Sequence, residues 1–224
     1  MVAIMKVAIT GSEAKVLRYL ALNGPDTGYN MGKEVDISLK TAYTAPKILV
    51  DRELVSVSVV GKTRSGQDMK EYSLTVLGLA TALLYPQVNE NMHDVIRSWG
   101  PLLTLVLGKW DVFVNAGVKD LAKHRLMNAA VVLVRASQSL EWEFAWHPPK
   151  DTAEIFRYNF YLSDTLFHDH EKRLKWARAC AKDPEIRDYL IRELTMNIER
   201  YKKMMRESKI MMEVLKDEKD ASPL

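Results

Sequence analysis

The sequence predicts a mainly α chain in two segments. The first, residues 1–86, holds three short helices followed by a β-hairpin; the second, residues 87–224, is all-helical and contains long antiparallel helices. Two observations carry this expectation. Before Pro86 the apolar residues recur in short runs at helical spacing and then alternate with serine through Val55, Val57 and Val59, and a period of two marks a strand where a period of 3.6 marks a helix. After Pro86 nearly all apolar residues keep the helical period. Charge does not mark the division, since 10 basic and 8 acidic residues lie before it and 22 and 21 after it.

The first helix opens at Thr10 with Glu13 three residues on, a spacing at which each side chain satisfies the other's free backbone N–H. It carries Ala14, Leu17, Tyr19, Leu20 and Ala21 and stops at Asn23-Gly24-Pro25. Residues 28–35 form a short second helix with Met31 and Val35 turned inward, and Asp36-Ile37 is the turn that follows. Ser38 caps the third helix, where Ala42, Ala45 and Leu49 make one buried face. Its outer face presents Lys40, Tyr43, Thr44, Lys47 and Asp51. Pro46 removes a backbone donor inside this helix, so a kink or a late start is expected. The strands on either side of residues 61–68 make a hairpin with a long, basic, glycine-bounded tip, and Leu74-Thr75-Val76-Leu77-Gly78 opens another helix.

This order resembles the winged helix-turn-helix transcriptional regulators of the MarR and PadR kinds. The resemblance rests on Ile37-Ser38-Leu39-Lys40-Thr41-Ala42-Tyr43, on Asp51-Arg52-Glu53-Leu54-Val55, and on the hairpin followed by Tyr72-Ser73-Leu74-Thr75. It covers about a third of the chain. It implies a DNA-binding domain over residues 1–86, with Lys40, Tyr43, Thr44 and Lys47 facing the major groove and Lys62, Arg64 and Lys70 in the wing. The physical rationale is independent of the resemblance: one helix fits a major groove, its outer side chains reach base edges or phosphates, and cations release condensed counterions. A winged helix that docks on a protein partner is the alternative.

Residues 87–224 are expected to join subunits and are a candidate for sensing an effector. Helices are expected over 87–99, 102–114, 119–140, 151–181 and 184–216, with Pro184 in a first helical turn. In the last, Ile191, Ile198, Met205 and Met212 alternate with Leu194, Tyr201, Ser208 and Leu215 at the 3-4 spacing of a coiled-coil seam. That seam packs either on the preceding helix or on a second copy; regulators of the resembled kinds are dimers, and a homodimer is expected. Nine of the chain's nineteen aromatic residues lie between Trp142 and Trp176. Of these, Trp142, Trp146, Phe156, Phe160 and Phe167 are candidates to line an effector pocket, and a core or interface is the competing reading.

Composition sets the outer bounds. With 224 residues, 47% of them hydrophobic, the chain can bury a core. A net charge of +3 leaves any nucleic-acid affinity to a local patch. The single Cys180 excludes an internal disulfide and a cysteine-rich zinc site, which fits a reducing compartment; a cytoplasmic protein is expected. The apolar opening MVAIMKVAIT is too short for the core of a signal peptide, and residues 101–107 and 129–134 fall short of the roughly 18 apolar residues that span a bilayer, so no membrane segment is expected. Asp164, His168 and Glu171 would share a helix face at ligand-like spacing, but no second ligand pair accompanies them and the stretch reads as a solvated face without metal. No phosphate-binding glycine loop, Gly-x-Ser-x-Gly elbow or His-Glu-x-x-His occurs, so neither an enzyme nor a cofactor is expected.

Overall fold

The computed structural model describes residues 9–137, 152–162 and 169–220. They are mainly helical with a small three-stranded antiparallel sheet. Contacts divide the chain into one compact unit up to Ala179 and a second from Cys180 onward. The boundary expected at Pro86 falls inside the first unit.

Helix α1 (Gly11–Asn23) is capped as its sequence dictates: Thr10 Oγ1 accepts from the Glu13 amide at 3.3 Å and Glu13 Oε2 accepts from the Thr10 amide at 2.8 Å. Gly24, at φ +89°, ends it. Val16, Leu17, Leu20 and Ala21 form its buried face. After the short β1 (Asp26–Thr27), helix α2 (Gly28–Glu34) is capped by Thr27 and buries Met31; Val35 follows the helix and is only half-buried, because the chain has already left helical geometry there.

Helix α3 (Leu39–Asp51) starts directly after Ser38, whose hydroxyl accepts from the Thr41 amide, and it runs through Pro46. A late start is therefore corrected: the cap fixes the beginning, and Pro46 is simply buried with Ala42, Ala45 and Leu49. Proline deprives the Ala42 carbonyl of its helical donor. Gly28 packs against that carbonyl, where an added Cβ would meet it at 3.2 Å and the Tyr43 ring at 2.9 Å.

Strands β2 (Val55–Lys62) and β3 (Asp68–Leu74) pair antiparallel, with β1 on the other edge of β3. Pairing extends further than expected, so the long tip shrinks to residues 63–67, closed by the Thr63 amide on the Gln67 carbonyl at 2.8 Å and by Gly66 at φ +81°. A bulge separates Val59 from Gly61. At the base of the hairpin Glu53 sits at φ +59° and Thr75 bonds back across the turn, its hydroxyl to the Glu53 carbonyl at 2.7 Å and its amide to the Leu54 carbonyl at 3.1 Å. Thr75 also caps α4 (Val76–Leu83), whose Gly78 lies so close to the Leu54 carbonyl that a Cβ there would come within 1.8 Å of the oxygen.

The expected helix 87–99 is two helices, α5 (Pro86–Asn89) and α6 (Met92–Trp99). The Asn91 side-chain amide donates to the Gln87 carbonyl at 2.7 Å, replacing the backbone donor that a continuous helix would supply. The expected helix 102–114 is likewise corrected to turns, a 3-10 segment at Leu107–Lys109 and α7 (Trp110–Asn115), with Gly108 backed against the Gly100 carbonyl. Helix α8 (Lys119–Ala136) follows; residues 138–140 of its expected extent lie outside the described residues. Of the helix expected over 151–181, α9 (Thr152–Leu162) and α10 (His170–Cys180) are described and 163–168 are not.

Trp99 ties α6 to the first helix. Its indole N–H donates to the Leu20 carbonyl at 3.2 Å and the Ala21 carbonyl at 3.0 Å, near the end of α1 where helical carbonyls run out of donors. In the second unit, Asp183 accepts from the Glu185 and Ile186 amides and starts the 37-residue α11 (Pro184–Asp220), with Pro184 in the first turn as the sequence predicts. No described helix is long and apolar enough to cross a membrane.

Candidate nucleic-acid interface

Lys40, Tyr43, Thr44 and Lys47 all lie on the exposed side of α3, because Ala42, Ala45 and Leu49 hold the opposite side in the core. Lys40 and Lys47 are two turns apart, about 10 Å along the helix axis. Between them the Tyr43 ring rests on Gly28, a position with no side chain to displace it. The Thr44 hydroxyl donates to the Lys40 carbonyl at 3.2 Å, so its proton is occupied within the helix while its methyl and remaining lone pair are available.

Lys62, Arg64 and Lys70 are exposed on the hairpin: Arg64 in the turn, Lys62 opposite Asp68, and Lys70 opposite Val59. Among the described residues none of these five cations enters an ion pair. Nearby, Lys15 pairs with Asp36 at 3.0 Å and Arg52 with the buried Glu13 at 3.0 Å. The Glu13 contact, which the sequence reading missed, fastens the end of α3 to the start of α1. No local signal announces it, since the partners are 39 residues apart.

The same region carries exposed apolar side chains that the period-two pattern did not foretell. Of the alternating valines only Val55 is buried, with Leu74 across from it; Val57, across from the buried Tyr72, and Val59 share its face of the strand, yet are 45% and 60% exposed. Val60 and Met69 on the hairpin and Leu39 and Ile48 on α3 are exposed as well. Alternation states which side chains share a face, not whether anything covers it.

Of the candidate effector-pocket residues, Trp142, Trp146 and Phe167 lie outside the described residues, as do Asp164 and His168 of the ligand-like triplet. Phe156 and Phe160 are wholly buried. Phe160 sits edge-on to Phe113 at 5.5 Å and to Trp176 at 5.4 Å, and Phe113 stacks on Trp176 at 4.9 Å. Arg125 is enclosed by this group: its Nη1 donates to the Phe160 and Tyr161 carbonyls at 2.9 Å and its guanidinium lies 4.8 Å from the Trp176 ring. The Tyr161 hydroxyl donates to the Leu105 carbonyl. A packed aromatic core around one buried cation therefore occupies this part of the first unit.

Comparison with known protein families, with curated proteins and with solved structures found no match for this chain.

Proposed function

We propose that residues 9–86 are a winged helix-turn-helix and that the protein is a sequence-specific DNA-binding transcriptional regulator acting as a homodimer. The observation that carries this reading is the set of five exposed cations without ion-pair partners on α3 and the hairpin, with Tyr43 and Thr44 between two of them. Exposed, unpaired cations on a groove-sized helix and a neighbouring hairpin suit a polyanion, because each phosphate they neutralise releases condensed counterions. On this reading α3 enters the major groove, and the hairpin cations meet backbone phosphates. Its test is a fluorescence titration of duplex DNA with the double reversal Lys62→Glu and Arg64→Glu. Affinity should fall alike for all sequences and the salt dependence should become shallower, since phosphate contacts position without reading sequence. An unchanged affinity and salt slope would remove the hairpin from the interface.

A second reading has its own observation. The exposed Leu39, Ile48, Val57, Val59, Val60 and Met69 suit a protein partner better than a phosphate backbone. Serine at 57, 59 and 60 separates the two: it leaves DNA affinity nearly intact if DNA is the ligand, and it abolishes capture of a partner if the surface is an adaptor's.

A small-molecule effector remains part of the proposal through the region around Trp142, Trp146 and Phe167. No metal or cofactor enters it.

A further inference from the structure

We infer that the second unit pairs with its copy in one orientation, as a parallel, in-register two-stranded coiled coil along Ile191 to Leu215. The inference rests on the homodimeric reading above and specifies its interface.

Along α11 the apolar seam residues Ile191, Leu194, Ile198, Tyr201, Met205, Met212 and Leu215 are 47–66% exposed. The 3-4 spacing fixes their heptad places without freedom: 191, 198, 205 and 212 are a positions, and 194, 201, 208 and 215 are d positions. A stripe with a period of 3.5 over four heptads matches a second helix of the same kind, because such a repeat stays in line only when two helices wind around each other. Ile186, Tyr189 and Glu193, which are buried, fall at c and f positions on the opposite side of the helix, so the seam is a separate surface.

Within a parallel arrangement, isoleucine at a with leucine at d in the leading heptad favours two strands over three or four. Orientation follows from two other features. First, the two edges of the seam differ in kind. One edge carries Thr195, Lys202 and Lys209 at the e positions, and the other carries Leu190, Asn197, Met204 and Met211 at the g positions. A parallel pair sets each lysine edge against the neutral edge of the other copy, where lysine methylenes cover methionine and the ammonium reaches water. An antiparallel pair aligned over the same stretch sets lysine edge against lysine edge, with Lys202 beside the second copy's Lys209 and no acid between the two edges. Second, Ser208 is the one small hydroxyl residue in the seam; parallel pairing places the two hydroxyls in one layer, where each can bond the other, whereas antiparallel pairing buries each against Ile198.

The test is oxidative cross-linking of the full chain in a Cys180→Ala background, with Ser208→Cys or Leu194→Cys as the reporter. Both positions are exposed, so neither substitution disturbs packing within the chain. In a glutathione redox buffer each variant should become predominantly a covalent dimer, and sedimentation of the unsubstituted chain should give a dimer at micromolar concentration. A dimer that cross-links only when Ile198→Cys chains are mixed with Ser208→Cys chains is antiparallel and overturns the inference while leaving the homodimeric regulator standing. A dimer that cross-links at neither position pairs elsewhere and overturns it too. A monomer overturns both the inference and the homodimeric reading, and DNA titration of the same sample then decides whether DNA binding falls with them.

Discussion

At the scale of single residues, backbone proximity sets the sharpest constraints. The Leu54 carbonyl occupies the space that a side chain at 78 would need. Gly78→Ala must push α4 off the hairpin base, and we expect a loss of about 3 kcal/mol in urea unfolding. Gly11, which has open space around it at the start of α1, is the control; Gly11→Ala should leave the midpoint unchanged or raise it. Three tyrosines give a second residue-level expectation. Burial foremost, aided by the hydrogen bond to Asp26 at 2.7 Å, holds the Tyr19 hydroxyl far above the ordinary tyrosine range. Burial also raises Tyr72, with Tyr43 adding to it, and it raises Tyr85 against the opposing pull of Arg18. A pKa raised in the folded state leaves stability intact below the ordinary value near 10 and removes it above, because the unfolded chain ionises first. Thermal melts should therefore fall once pH exceeds about 10, and ultraviolet titration should show tyrosinate appearing together with unfolding. Ionisation of all nine tyrosines in the folded chain near pH 10 would contradict this.

At the scale of elements, legibility followed locality. The caps at Thr10 and Ser38 and the proline start at Pro184 are patterns within four residues, and each begins a helix where the sequence predicts one. The breaks at Asn91 and Gly108 were not legible, since asparagine and glycine both occur inside helices and only the hydrogen bond to Gln87 and the close approach to Gly100 decide the matter here. Cover was illegible for a different reason: Val57, Val59 and the α11 seam carry patterns of buried faces, and whether another element lies on them is a property of the tertiary fold. The candidate interface was legible because its residues sit on one helix and one hairpin, whereas the support given to Tyr43 by Gly28 and to Glu13 by Arg52 comes from distant chain. The element-level prediction concerns α3. Alanine at Tyr43 or Thr44 should cost about 1–3 kcal/mol on the preferred site and little on random DNA. Lys47→Ala should weaken all sequences if that side chain meets a phosphate. Thr44→Val, which keeps a methyl but loses the hydroxyl, separates apolar contact with thymine from hydrogen bonding. If alanine at all three left the ratio of specific to random affinity intact, α3 would not read sequence.

At the scale of the whole molecule, the first unit does not end where the resemblance to winged helices ends. Trp99 fills a site on α1 and satisfies carbonyls there, so a chain cut after Pro86 leaves that surface bare. We expect such a fragment to melt well below the full chain, whereas a chain cut after Asp183 keeps the first unit folded and loses self-association. Circular dichroism melts and sedimentation of the two truncations check both halves; a stable, cooperative fragment ending at Pro86 would show that Trp99 is dispensable. The bare seam of α11 reaches furthest beyond the molecule itself. On the proposed reading, and at concentrations where the free chain is mostly monomeric, a chain that must find its twin before it can grip both halves of a site responds to its own abundance as roughly the square of concentration. Halving synthesis would then remove about three-quarters of the occupancy at a weakly filled site, so that the seam would make gene dosage, and not only affinity, a determinant of occupancy.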